Sequence, residues 1–281
     1  MDETPWKQVN ITYPGSDPHQ RERQAIDHLG PILPAAEAND LITSWWFIRK
    51  GPWRVRYLLA EEHGHDRSDP LHSLLTTGVT WTDDIYEPEV HAFGGPASMD
   101  TAHTLFHHDS RHLLTFLRDN PADRREHSLI LLAAFMRAAG LDFNEQGDVW
   151  ARVAEQRARL PSQPPDPDPQ VWASFTSDVR HLLLGTPRAD TIADDWLTAF
   201  EDAGTALRTL RESGELTRGL RAVIALHVIF HWNRIGLPAT TQATLAQAAK
   251  EAVFGSTRRG VRGKTRAQSK PALTRRRRAS R

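Results

Sequence analysis

The Gly94-Gly95-Pro96 turn divides this chain into two stretches of different periodicity. Ahead of it, apolar residues mostly alternate; after it they recur at helical spacing. Trp6–Tyr13 (WKQVNITY) alternates and stops at Pro14-Gly15, which predicts a strand and a turn. Ile42–Ile48 is rich in aromatic and β-branched residues, Gly51-Pro52 turns the chain, and Trp53–Leu59 places Val55, Tyr57 and Leu59 on one face. A hairpin follows, with Arg54 and Arg56 together on its other face. Val79–Trp81 and Ile85–Phe93 are further strand candidates, the second marked by Pro88 as an edge or a bulge. Pro18–Asn39 is the exception in this half: Ala25, Ile26, Leu29 and Leu33 have helical spacing, and Pro31 and Pro34 are expected to break the helix.

Beyond the turn, Ser98 is placed to cap a helix over Asp100–Leu117, and Arg125–Ala139 reads as an apolar helix stopped by Gly140. Further helices are expected over Asp148–Arg159, Val171–Leu184, Ala193–Arg211, Leu216–Ile235 and Thr240–Phe254. Pro161–Gln170 (PSQPPDPDPQ) suits a stiff loop or a linker. No internal repeat is present. The expected architecture is α+β: an N-terminal mixed or antiparallel sheet with packed helices, then a mostly helical second half. One domain is expected over residues 1–255, followed by a tail over 256–281.

Charge separates that tail from the body. Arg258–Arg281 holds eleven of the 35 Lys and Arg residues and no acid, which leaves the body with 24 basic against 35 acidic residues, a balance of −11. With almost no apolar residues the tail cannot bury enough surface to fold alone. It is either simply solvated or an electrostatic tether for an acidic partner protein, an acidic leader peptide or RNA. The chain has no cysteine, which removes disulfides and thiolate chemistry and fits a reducing cytoplasm. Its longest apolar runs, Leu129–Met136 and Ala222–Phe230, are too short to span a bilayer, so no membrane association is expected. The N-terminus has neither the basic nor the apolar region of a secretory signal. Phosphate-loop, Rossmann and GxSxG patterns are absent, and no cofactor is expected.

Candidate chemistry collects in four places. Arg54 and Arg56 suit carboxylates or peptide carbonyls, although an exposed strand face would look the same; Arg49 and Lys50 extend the cationic surface. Glu87, Glu89 and His91 alternate, as acid–base groups on one strand face or as a solvated edge. His103/His107 and His108/His112 have the i,i+4 spacing of metal ligands, but no third ligand is evident and no metal is expected. His227 and His231 lie on an apolar helix ahead of Asn233 and Arg234, either as satisfied core groups or as site residues facing a cleft; the Asn-Arg-Ile-Gly ending favours the site.

These segments, in their order and spacing from Trp6 to Gly255, resemble the C-terminal domain of class I lantibiotic dehydratases and the related free-standing thiopeptide-type bacteriocin biosynthesis proteins. The resemblance rests on the Trp-initiated first strand, WWFIRK…WRVRY, YEPEVHAFGG, FHHDS and NRIG. It implies a peptide-maturation enzyme acting on a dehydrated precursor peptide with its leader, alongside a separate dehydratase subunit. Two activities occur in such proteins: elimination of glutamate from glutamylated Ser or Thr, and pyridine synthesis by a formal aza-[4+2] cycloaddition of two dehydroalanines with leader release. Matched residue by residue, Arg54, Arg56 and Glu89 fall on catalytic positions, and His231 matches the histidine preceding Asn-Arg. Arg49, His91, Asn233 and Arg234 are the expected substrate-binding residues. The eliminating domains place an arginine directly before the aromatic-Gly-Gly, and this chain has Ala92 there. Alanine cannot hold a departing glutamate, which favours pyridine synthesis over elimination. A non-catalytic, peptide-binding partner of a dehydratase is the remaining alternative.

Overall fold

A computed structural model describes residues 5–60, 69–158, 168–185 and 192–256. The Arg-rich tail and most of the Pro-rich segment fall outside them. Four strands, β1 (Lys7–Thr12), β2 (Ile42–Arg49), β3 (Trp53–Leu59) and β4 (Thr80–Asp84), form one sheet in the order β2-β3-β1-β4. All three pairings are antiparallel. The helices are α1 (Pro18–Ala38), α2 (Pro70–Thr76), α3 (Pro96–Phe116), α4 (Arg124–Ala138), α5 (Phe143–Ala158), α6 (Pro169–Leu183), α7 (Asp194–Ser213), α8 (Leu220–Ile235) and α9 (Ala239–Phe254). This is the expected α+β arrangement.

Both faces of the sheet are used. Val9, Ile11, Trp45, Phe47, Val55 and Tyr57 point into the main core with Leu29 and Leu33 of α1 and Leu71 and Leu75 of α2. Trp46 and Ile48, on the opposite face of β2, join a second cluster with Trp6, Tyr86, Phe93, Met99, Phe106 and Phe230. β2 is therefore buried on both sides, which accounts for its nearly unbroken apolar run.

Three local expectations are corrected. α1 runs unbroken through Pro31 and Pro34, both of which sit on its exposed side. α3 begins at Pro96 rather than Asp100, so Ser98 is not its cap; instead the Ser98 hydroxyl donates to the Phe93 carbonyl at 2.5 Å. Ile85–Phe93 is not a strand. The chain leaves the sheet after Asp84 and winds into a turn held by Phe93 N–H to Glu89 O (2.9 Å) and Gly95 N–H to Val90 O (2.9 Å).

Candidate active site

The register of the sheet places one row of side chains on its second face: Trp46 opposite Arg56, Arg56 opposite Gln8, and Gln8 opposite Asp84. The row is bonded across its length. Arg56 lies with its guanidinium carbon 4.3 Å from the Trp46 ring centroid, donates from Nε to Gln8 Oε1 at 2.6 Å, and Gln8 Nε2 donates to Asp84 at 2.8 Å. Tyr86 covers Arg56 from the other side, with its ring centroid 4.1 Å from the guanidinium carbon. A side chain clamped between two rings and a cross-strand amide is pre-organised for the contacts its remaining N–H groups make.

Arg54, two residues before Arg56 on β3, opens into the same space. Arg54 and Arg56 border a cavity of about 190 Å³ with Lys50, Asp84, Tyr86, Glu87 and Glu89. Phe93 and Phe230 form its apolar wall, with Lys50 Nζ 5.3 Å from the Phe230 ring centroid. Burial draws the Arg56 pKa down to about 10, still far enough above neutrality to keep it cationic. Partial burial also lowers Lys50; Glu89 opposes that, and Arg54 and Arg56 add to it. The Tyr86 hydroxyl is 2.8 Å from His103 Nε2. Burial raises the phenol and pulls His103 down to about 4, so both are neutral at pH 7 and share a hydrogen bond whose donor depends on the His103 tautomer.

Size alone does not pick out the site. A groove of about 1070 Å³ runs between α3 and α7, but its ionisable groups are surface residues such as Asp194, Asp195 and Arg111, and His112 there already faces Asp195 at 3.6 Å. The smaller cavity brings three cations, two glutamates and a buried phenol to one point. That convergence makes the smaller cavity the candidate site.

A sequence model described as the lantibiotic biosynthesis dehydratase C-terminal domain matches residues 6–253. The chain belongs to that family. Membership places it in the biosynthesis of ribosomally made peptide natural products. Its fold resembles the tRNA-dependent lantibiotic dehydratase MibB from Microbispora sp. 107891, at 21% identity and a TM-score of 0.60, over 90% of this chain and 28% of MibB. The chain thus spans little more than a quarter of MibB. It also resembles TsrL (15% identity, TM-score 0.62, 88% of this chain and 93% of TsrL). A third resemblance is to TbtD, a pyridine synthase from thiomuracin biosynthesis (16% identity, TM-score 0.56, 89% of this chain and 97% of TbtD). Comparison with curated proteins finds no match.

Of the candidates read from this family member's sequence, the cavity gathers Arg54, Arg56 and Glu89, with Lys50 and Glu87. It does not gather the others. His231 is 1% exposed and is not among the residues lining the cavity. Its Nδ1 lies 2.9 Å from Asp109 Oδ2, so it is placed as a core group and not as a general acid–base at the cavity. Arg234 is fully buried, donating from Nε to the same Asp109 oxygen at 2.7 Å. Asn233 accepts from Gln242 Nε2 at 3.1 Å and ties α9 to α8. Arg49 is committed to Glu22 at 2.6 Å, beside Arg124 on the same carboxylate. Its guanidinium fills the space above Gly236, whose φ of +82° and lack of a Cβ both suit that contact. His91 is exposed in the turn after Val90, outside the cavity, because the alternation that would have aligned it with Glu89 belongs to no strand.

Tyr86 and Gln8 have no role in the sequence reading, and His103 appears there only for its metal-ligand spacing with His107. A tyrosine at the head of YEPEVHAFGG was visible; its partnership with His103, 17 residues on, needed the turn of the chain between β4 and α3. Ala92 is half-buried, and its carbonyl accepts from Arg218 Nη1 at 2.6 Å.

Proposed function

We propose that this chain is a maturation enzyme for a ribosomally synthesised peptide, working at the Arg54/Arg56/Glu89 cavity, and that its reaction is the joining of two dehydroalanines into a pyridine-type ring with release of the leader. The observation that carries this is the composition of the cavity: polar groups fixed on sheet and turn, two aromatic walls, and Ala92 where an eliminating domain has an arginine. The resemblance to TbtD over nearly its whole length supports the same reading.

The chemistry asks for little beyond positioning and proton movement. Holding two alkenes in reacting geometry is worth several kcal/mol, up to about 7–11 in favourable cases. Arg56, rigid between Trp46 and Tyr86, polarises the amide carbonyl whose iminol form serves as the azadiene. Glu89 takes the amide N–H proton and returns it to the carbonyl oxygen as the iminol hydroxyl. After ring closure the Tyr86–His103 pair protonates that hydroxyl as it leaves as water. The leader then departs as its protonated amide, and the ring C–H proton lost at each of these two steps restores the groups that gave one. Phe93 and Phe230 hold the apolar faces of the alkenes. A separate dehydratase supplies the dehydrated peptide.

A second reading has its own observation. Lys50, Arg54 and Arg56 around one cavity also suit a departing glutamate, with Lys50 standing in for the missing arginine. The test incubates the full chain with two synthetic leader-bearing peptides, one glutamylated on serine and one carrying two dehydroalanines, with products read by mass spectrometry. Loss of water and leader from the second peptide is the expected result. Glutamate release from the first would select elimination, and tight binding without either product would make the chain a non-catalytic partner.

A further inference from the structure

A second cavity, of about 500 Å³, is lined in part by Thr217 and Arg218, both of which donate to carbonyls of the Ala92–Gly95 turn. It is lined by Arg152 of α5, Arg211 of α7, Arg218 of the α7–α8 loop and Arg221 of α8, with Glu145 the one carboxylate among the described residues that line it. Four arginines in one cavity run against the charge of a body that carries −11. Arg221 is paired with Asp148 at 2.6 Å and Arg211 approaches Glu212 at 3.4 Å. Among the described residues, Arg152 and Arg218 have no carboxylate in ion-pair range. Leu141, Leu216 and Leu220 provide an apolar floor, and the amino end of α8, capped by no side chain, opens into the same space.

Two hydrogen bonds join the linings of the two cavities through the Ala92–Gly95 turn. Thr217 N–H donates to Gly94 O at 2.8 Å, and Arg218 Nη1 to Ala92 O at 2.6 Å. Gly94 has φ +90°, and a Cβ there would stand 2.8 Å from Leu216 Cδ1, so only glycine permits this closeness. Phe93, between those two carbonyls, lines the Arg54/Arg56 cavity.

We infer that the Arg152/Arg211/Arg218/Arg221 cavity is a docking site for an acidic segment of the peptide substrate that also carries apolar side chains, outside the reacting residues. The inference rests on the peptide-modifying reading above. The rim of guanidinium groups matches carboxylates, and the leucine floor matches apolar side chains. A nucleic acid fits less well: no lining residue is aromatic, and the surrounding acidic body repels a phosphate backbone.

The test measures fluorescence anisotropy of a fluorescein-labelled glutamate–leucine peptide with the full chain, tail included. Arg152→Glu combined with Arg211→Glu should weaken binding about tenfold or more, since charged contacts are lost. Neither residue touches the Ala92–Gly95 turn. Arg23→Glu combined with Arg118→Glu changes net charge equally on exposed positions elsewhere and should bind like the wild type. If the first pair lowers the melting temperature, Arg152→Glu alone carries the comparison. Equal loss in both pairs, or none in the first, would overturn the inference, as would displacement of the peptide by single-stranded RNA at lower concentration. Binding is read without turnover, so failure of the ring-forming chemistry leaves this result distinguishable.

Discussion

Asp109 Oδ2 lies 2.9 Å from His231 Nδ1, and neither side chain is accessible to solvent beyond 1%. The same oxygen takes Arg234 Nε at 2.7 Å, and Asp109 Oδ1 accepts from Trp196 Nε1 at 3.0 Å. One carboxylate on α3 therefore fastens α7 and α8. Burial pushes its pKa up, but His231 and Arg234 together hold it down at about 2. Arg234 stacks on Phe106 at 4.3 Å, and among the described residues its two Nη atoms find no acceptor. The ion pair with Asp109 is what makes its burial tolerable.

Asp109→Ala should consequently destabilise the chain by about 3–5 kcal/mol, because it strands a buried guanidinium. His231→Ala should also lose stability, before any effect on chemistry can be isolated. Urea unfolding of both variants measures this. A His231→Ala protein as stable as the wild type, yet inactive, would restore His231 to the catalytic list.

Acid should unfold this protein early. Burial draws His227 down to about 3 and His103 to about 4, against about 6.5 in an unfolded chain. Between about pH 6.5 and those values the unfolded chain binds protons that the folded one refuses, so stability falls as pH falls and is untouched above that window. His227 is packed among Phe93, Phe106 and Phe135, and among the described residues neither ring nitrogen has a hydrogen-bond partner. His227→Leu should therefore cost little at neutral pH and flatten the acid slope. Melting temperatures from about pH 4 to 8 decide it; identical slopes in variant and wild type would refute the assignment.

The hairpin arginines were legible because period-two alternation, a Gly-Pro turn and two apolar runs all agreed. Glu87, Glu89 and His91 show the limit of the same rule. Their alternation is equally regular, but β4 pairs only through Asp84 and the chain then turns, so no ladder enforces the period. On α8, polar residues of an all-apolar helix had to be either site groups or core groups. The choice was set by Asp109, 122 positions from His231, and one sequence contains no sign of that contact. Helix α2, over Pro70–Thr76, was too short to register.

Gln8 is expected to control the site without touching substrate chemistry directly. Its amide links Arg56 to Asp84 across β1. Gln8→Leu keeps the size and removes both hydrogen bonds, so Arg56 should lose its fixed geometry and turnover should fall about tenfold at saturating peptide. Gln8→Glu, which retains the acceptor, should recover part of the loss. Equal rates in all three proteins would show that Arg56 does not depend on this bond.

Arg54 offers the most direct test of the account. It faces the cavity half-buried, and its Nε has no hydrogen-bond partner among the described residues, so its removal should spare the fold. The measurement is the single-turnover rate of Arg54→Ala on the peptide bearing two dehydroalanines, with its melting temperature alongside. The account predicts a rate at least about tenfold lower, from the loss of about 1.5–3 kcal/mol of charged contact, at an unchanged melting temperature. A wild-type rate at that unchanged melting temperature would contradict it, and the Arg54/Arg56 cavity would no longer be the place where this chain acts.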